Sequence, residues 1–335
     1  DFTFTEVGKG LPQEQWSAHN QKYLVYQEGI YVGYRYYETR YADYVNKLGN
    51  ASSESGAKMS TNWLYQNEVA FPFGHGLSYT TFEYSDYKVS KIDNGYNVKL
   101  NIKNTGNVAG KEVMQVYLQK PYTEYDKTNG IEKSAVELVG FAKTKELKPN
   151  EEQTLSINVD EYEFKTYDSY NKKTYILEKG DYYLAIGTDA HDANNNILSL
   201  QGKTTYDGMT STGNSNFAYK INIKNDDFEK YSISPFTGNK ITNQFDDADV
   251  KLYKGLQGQN INYLSRSDWK NTYPTGAKMK CISQIMIEDM QYGKKMESDP
   301  NLECPSFGKT SDKYGKLSLI MLKDEEFNSE LWEAL

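Results

Sequence analysis

The sequence is poor in cysteine, proline and histidine, with 2 Cys, 8 Pro and 3 His in 335 residues. Cys281 and Cys304 lack a CxxC spacing, so a zinc-ribbon type of site is excluded, while one disulfide between them stays open. Positive charge is not in excess: 38 Lys+Arg against 46 Asp+Glu leave a net charge of −8. No stretch is dominated by Lys and Arg, which excludes a protein that grips nucleic acid by neutralising phosphates. No apolar run approaches the roughly 20 residues of a membrane-spanning helix, and the mean hydropathy is −0.78. The opening DFTFTEVGKGLPQEQW lacks the basic start and apolar stretch of a secretion signal. It also lacks an initiator Met, and reads as the middle of a longer chain. The compartment is left open, with the bacterial cytoplasm favoured over secretion. What is abundant is aromatic: 30 Tyr and 13 Phe are too many for a disordered chain. Because Tyr rises together with Asn, Lys and Ile, coding bias explains the excess as well as sugar stacking does. The length suits two domains and a connector.

Hydrophobic periodicity divides the chain. YLVYQEGIYVGYRYYET, from Tyr23 to Thr39, is rich in aromatic and β-branched residues and reads as short buried strands and loops around Gly29 and Gly33. Residues 41–67 carry Ser and Asn clusters and read as a surface loop. In VAFPFGHGLSYTTFEYS, Pro72 restricts Phe71, and Gly74 and Gly76 permit backbone geometries closed to other residues. That segment is a connector held in one shape. After Phe82 the pattern alternates with period two: YNVKLNIKN puts Val98, Leu100 and Ile102 on one face and Asn97, Lys99 and Asn101 on the other. Further runs of this kind, EVMQVYLQK, VELVGFAKT, QTLSINV and YYLAIGT, are separated by NG, NTGN, KPN and EKGD turns, which predicts an antiparallel β-sandwich. A short helix is expected at 192–200, closed by Gly202, and a last strand at NFAYKINI. Alternation weakens after Asn225. A helix is expected from Thr242 to Lys254, YLSRSDWKNTYPTG reads as extended, and DEEFNSELWEAL spaces Phe327, Leu331 and Leu335 on one helical face.

YQEGIYVGYRYYET followed by AFPFGHGLSYTTFEYS resembles the end of the carboxy-terminal α/β domain of family 3 glycoside hydrolases, the β-glucosidase group. VKLNIKNTGNVAGKEVMQVYLQKPY, ELVGFAKTKELKPNEEQTLSI and LEKGDYYLAIGTDAHD resemble the fibronectin type III-like domain that follows it in many of these enzymes. The resemblance covers about residues 20–200 in consistent order. YLSRSDWKNTYPT with KLSLIMLKDEEFNSELWEAL resembles the connector of the permuted subgroup, in which the barrel comes last. The fold expected from it is mainly β: a fibronectin type III/Ig-like antiparallel β-sandwich, preceded by a remnant of an α/β sandwich domain and followed by a partly helical linker. The expected divisions are 1–80 for the α/β remnant, 81–224 for the sandwich and 225–335 for the linker. A (β/α)8 barrel takes about 250 residues, so the residues after Lys224 cannot form one, and a missing barrel is expected as packing partner.

A retaining glycosidase needs two carboxyl groups about 5 Å apart. The resemblance implies a barrel Asp as nucleophile and an α/β-domain Glu as acid/base, and no residue of this sequence matches either motif. No catalytic residue is therefore carried over, no cofactor or metal is expected, and carbohydrate is expected as substrate of a complete enzyme only. Tyr122 and Tyr125, in the 121–133 loop PYTEYDKTNGIEK, are the candidates for substrate binding by stacking on a sugar face, against the plainer reading of a solvated strand connection. Glu28 as an acid/base loses to a structural carboxylate paired with Arg35 or backbone. His75, between two glycines, has no second ligand nearby for a metal. Asp192, Asn194 and Asn196 begin like a calcium loop, but Ile197 and Lys203 stand where the Gly and the bidentate Glu are needed. Asp268 and Trp269 invite comparison with a nucleophile motif but lack a barrel around them. Asn50-Ala51-Ser52 matches a glycosylation sequon, which matters only on secretion. The rival to an enzyme scaffold is a separate polysaccharide- or cell-wall-binding module. A planar row of exposed Tyr and Trp favours that rival, whereas burial of YVGYRYY in a domain interface favours the scaffold.

Overall fold

A computed structural model describes residues 28–53, 62–235, 238–243 and 263–269, with the backbone of a few short strands outside them. The chain divides into two compact units, Asp1–Ser283 and Gln284–Leu335. In the first, β1 (Phe2–Glu6) pairs antiparallel with β2 (Lys22–Tyr26). Then come α1 (Tyr34–Asn46) and a single turn, α2 (Tyr65–Glu68).

The sandwich follows as β3 (Phe82–Ile92), β4 (Gly95–Asn104), β5 (Val113–Gln119), a short helix α3 (Glu124–Asn129), β6 (Glu137–Lys143) and β7 (Glu152–Asp160). A small hairpin, β8 (Thr166–Asp168) with β9 (Thr174–Ile176), leads to β10 (Gly180–Gly187), α4 (Ala190–Leu200) and β11 (Ala218–Ile223). Lys280–Cys281 (β12) runs parallel to β1. The second unit is described only by the hairpin of β13 (Thr310–Ser311) and β14 (Gly315–Lys316).

One sheet has the order β3-β4-β7 and the other β11-β10-β5-β6, and every pairing within them is antiparallel. Between them lies the core. Val98, Leu100 and Ile102 of β4 face Met114, Val116 and Leu118 of β5 and Tyr182, Leu184 and Ile186 of β10. The period-two alternation of β4 therefore reads out as predicted, with Val98, Leu100 and Ile102 fully buried. β5 and β10 depart from it, because their second face is buried as well. Tyr117, Tyr183 and Ala185 on that outer face pack against Ala190, Ala193 and Ile197 of α4. The two central strands of the four-stranded sheet are thus covered on both sides, by the other sheet and by a helix.

The expected helix at 192–200 is present and begins two residues earlier, capped by the Asp189 side chain, which accepts from Asp192 N at 2.8 Å. At its end Gly202, at φ +82, lets Lys203 N donate to Leu198 O.

The reading of Tyr23 to Thr39 as strand and loop is corrected from residue 34 on, and so is the loop reading of residues 41–46. Tyr34, Tyr37, Tyr41 and Val45 recur every three or four residues and form one helical stripe toward α4 and the sandwich. Packing on that stripe outweighs the strand preference of tyrosine. Gly33, at φ +59, turns the chain into the helix, and Lys47 ends it in the left-handed region, its N–H donating to Tyr44 O. The loop at 121–133 contains α3, started by a reciprocal cap between Thr123 and Asp126 and closed by Gly130 at φ +65. The described part of the YLSRSDW segment is not extended: Trp269 N donates to Ser265 O at 2.9 Å, closing a turn. The helices expected at 242–254 and in DEEFNSELWEAL lie outside the described residues, save Thr242 and Asn243, which are irregular.

Candidate functional site

The chemistry-bearing side chains converge where α1 meets the sandwich. α1 carries three charged residues, Glu38, Arg40 and Asp43, that are buried to 0–1% exposure. Burying charge costs several kcal/mol per group unless partners meet it, and here each is met.

Glu38 Oε2 lies 3.0 Å from His191 Nδ1 of α4, and Asn194 Nδ2 donates to the same oxygen and to the Glu38 carbonyl. Tyr65 O–H donates to Oε1, and its ring stacks on the imidazole at 3.8 Å. His191 Nε2 lies 2.6 Å from the Thr210 hydroxyl. Tyr41 O–H donates to Asn195 Oδ1 at 2.6 Å, and burial pushes its phenol up to about 12. Arg40 donates to the carbonyls of Ala51 and Ser53, each at 2.9 Å, and lies over the Trp63 ring.

Asp43 is held from the far end of the described chain. Arg266 grips it with two bonds, Nη2 to Oδ1 at 2.6 Å and Nε to Oδ2 at 3.1 Å, and Trp269 Nε1 donates to Oδ2 at 2.9 Å. Burial alone would lower the guanidinium's pKa, but Asp43 outweighs it and holds the group above its ordinary value. Arg266 Nη1 also donates to Lys133 O, and the guanidinium covers the Tyr122 ring at 4.5 Å.

Beside this junction, α3 and the β9–β10 connection build a sealed charge cluster. Lys133 Nζ bonds Asp126 Oδ2 at 2.8 Å and Glu178 Oε2, with all three side chains at 0–2% exposure. One ammonium cannot balance two carboxylates away from water. Burial, with Asp126 nearby, outweighs the pull of Lys133 and raises the Glu178 pKa.

An open cleft of about 280 Å3 lies between the end of α1 and the ends of the two central strands of the four-stranded sheet, β5 and β10, lined among others by Asp43, Tyr122, Tyr183, Gln201 and Arg266. The candidates from sequence separate here. Tyr122 lines this cleft. Tyr125 does not: its hydroxyl donates to Asp168 Oδ2 at 2.7 Å, and its ring stacks on Phe228.

Glu28 lies in the turn before α1, its carbonyl accepting from Tyr31 N. His75 stacks on Phe71, with Nδ1 4.0 Å from Asp189 Oδ2. Asp192 accepts from Thr188 N at the start of α4, and Asn194 and Asn196 are buried hydrogen-bonding groups of that helix. Trp269 is a buried anchor, and Asn50 Nδ2 donates to the Asp268 carbonyl. Among the described residues, no group of three or more His, Cys, Asp or Glu side chains is placed to hold a metal ion, and no helix is long and apolar enough to cross a membrane. Glu38, Asp43, His191 and Arg266 escaped sequence reasoning. The signal for the first pair was the helical stripe, which the strand reading concealed.

The model of the fibronectin type III-like domain matches residues 112–190, from the residue before β5 to the start of α4. A β-glucosidase of Ruminococcus albus is 38% identical over 179 residues, covering 52% of this chain and 16% of that protein. Over about half its length, this chain is similar in sequence to that β-glucosidase. The thermostable β-glucosidase B of Acetivibrio thermocellus is 34% identical over 188 residues, 52% of this chain and 20% of that protein. The probable β-glucosidase K of Emericella nidulans is 34% identical over 187 residues, 56% of this chain and 18% of that protein. The chain thus spans about a fifth or less of the curated relatives it matches.

Proposed function

We propose that this chain is a non-catalytic part of a family 3 β-glucosidase-like enzyme, which as a whole hydrolyses terminal β-glycosidic bonds with retention. Residues 1–80 supply the end of an α/β domain, 81–224 the fibronectin type III-like sandwich and 225–335 the link toward a barrel that is its packing partner. The part played by this portion is architectural. Placement errors of about 1 Å between catalytic groups cost on the order of 100-fold in rate, so a rigid block between domains affects turnover without holding a reactive group.

The observation that carries this reading is the packing of α1: residues 38–43 are all buried, and in the preceding YVGYRYY Tyr31 is buried and residues 34–37 are half-buried, while Val32 is 64% exposed. Tyr41 of α1 is buried, Tyr34 stacks on Phe73 and meets Tyr117 edge-on, and Glu38 and Asp43 are satisfied from α4 and the 263–269 segment. Of the described aromatics, Trp63 and Trp269 are buried at 1% exposure, while Tyr79 and Tyr206 stand exposed. The test is an assay of the purified chain on an aryl β-glucoside. No release of phenol above buffer is expected, and clear turnover would overturn the reading.

A further inference from the structure

On the side of α1 that meets α4, a hydroxyl, an imidazole and a carboxylate stand in line. Thr210 is exposed, and its Oγ1 lies 2.6 Å from His191 Nε2. The other ring nitrogen, Nδ1, lies 3.0 Å from Glu38 Oε2. The line runs outward from the core, with the Glu38 side chain 1% exposed, that of His191 12%, and Thr210 at the surface. A hydroxyl, a base within hydrogen-bond reach and a third group that orients the base are the signature of nucleophilic catalysis.

All three groups are held from outside the line. Glu38 accepts from the Tyr65 hydroxyl and from Asn194 Nδ2, and the Tyr65 ring stacks on the imidazole. Before Thr210, Met209 is buried in one cluster with Tyr41 and Leu198. Thr210 N donates to the Tyr41 hydroxyl oxygen at 2.9 Å, and after it Asn214 N donates to Asn196 Oδ1 of α4 at 2.7 Å. Groups fixed in this way lose little freedom in reaching a reactive geometry.

We propose that Thr210, His191 and Glu38 form an acyl-transfer site that cleaves carboxylic esters of phenol-like alcohols. In this site the imidazole carries its proton on Nδ1, toward the Glu38 carboxylate, as a carboxylate partner on one ring nitrogen favours. The electron pair of Nε2 then faces the Thr210 hydroxyl. Thr210 Oγ1 adds to the ester carbonyl carbon while its proton passes to Nε2. The tetrahedral adduct collapses, the bond from carbon to the aryl oxygen breaks, and the imidazolium returns its proton to the departing aryl oxide, leaving Thr210 acylated. Water, deprotonated by the same nitrogen, then releases the carboxylic acid and restores the hydroxyl. One donor to a developing oxyanion is worth about 100- to 1000-fold in rate, yet Thr210 N is already given to Tyr41. The substrate class is therefore esters with a good leaving group, which need the least stabilisation. The inference goes beyond the scaffold role and does not depend on it: an aryl glucoside has no carbonyl for Thr210 to attack.

The test mixes the full 335-residue chain with p-nitrophenyl acetate and follows nitrophenol release together with peptide mass mapping. A burst of about one equivalent is expected, with the acetyl group on Thr210. Thr210→Val, at an exposed position, should remove the burst. Thr210→Ser, whose hydroxyl is less crowded, should quicken it, a gain that a merely structural hydroxyl would not give. His191→Gln should slow it about 100-fold or more. Glu38→Gln, which leaves the imidazole in place without favouring a proton on Nδ1, should slow the burst at unchanged amplitude. Thr212→Val, at a neighbouring exposed hydroxyl, should change nothing. Thermal melts by circular dichroism show which variants are folded. No acetyl group on Thr210, acetylation confined to lysines, or a burst that folded Thr210→Val retains would each overturn the proposal.

Discussion

Asp43 and Arg266 are the residues on which the junction is most exposed to a single change. Both are buried, and they are 223 positions apart. Arg266→Met keeps much of the side-chain volume but strands the Asp43 carboxylate with Trp269 as its remaining described donor. Removing one partner of a buried pair costs about 3–5 kcal/mol, so chemical denaturation should show a loss of that size. Arg266→Lys keeps the charge and loses the forked geometry, and should fall between. Glu178 behaves differently, because burial raises its pKa in the folded state. A raised carboxyl contributes stability below its unfolded value, near 4.3, and that contribution is lost as pH rises through the folded pKa. Glu137 has the opposite sign: burial works against it, but Lys120, Arg35 and Ser134 outweigh burial and lower its pKa, so its contribution is lost as pH falls. Glu178→Gln should therefore flatten the decline of stability on the neutral side of pH 4.3, in urea melts run from pH 4 to 7, while leaving the acid-side loss in place.

At the scale of elements, the connector from Phe71 to Tyr79 holds its shape yet leaves apolar surface uncovered: Phe71 is 73% exposed, Leu77 93% and Tyr79 101%. Its glycines differ. A Cβ on Gly74, at φ +88, would lie 2.1 Å from Gln115 Oε1, whereas one on Gly76 would meet open space. Such a cluster on one segment invites association in isolation. Leu77→Lys combined with Tyr79→Ser should lower binding of a hydrophobic dye and concentration-dependent light scattering, with the unfolding midpoint unchanged. The sandwich strands were legible because one face of each, as in Val98, Leu100 and Ile102, is alternately buried. β5 and β10 were legible as strands but not in their burial, since a helix covering the second face leaves no mark on their own period. α1 was misread because tyrosine favours strands locally. Its stripe becomes decisive only when Leu198 and Met209 arrive from 153 or more positions away to pack on Tyr41 and Val45. The cleft was legible only as Tyr122, because its lining is gathered from α1, the end of β5, α3, β10, the end of α4 and Arg266, which no local pattern joins.

For the whole molecule, the account holds that α1 and the sandwich form one block. The covering of the four-stranded sheet by α4, the seating of α1 on α4 through Tyr41, Val45 and Leu198, and the bonds from Glu38 to His191 and Asn194 all cross between them. A block of this kind transmits position between the domains of an enzyme, which a hinged pair would not. Cooperative units are read directly from amide hydrogen exchange, since amides that open together share one opening free energy. The deciding measurement is native-state hydrogen exchange of the purified chain, comparing amides of α1 with those of β4, β5 and α4. The account predicts that the interior amides of α1 share the protection of the sandwich strands and lose it at the same denaturant concentration. Exchange of α1 orders of magnitude faster than that of the strands, under conditions where β4 and β5 stay protected, would contradict it.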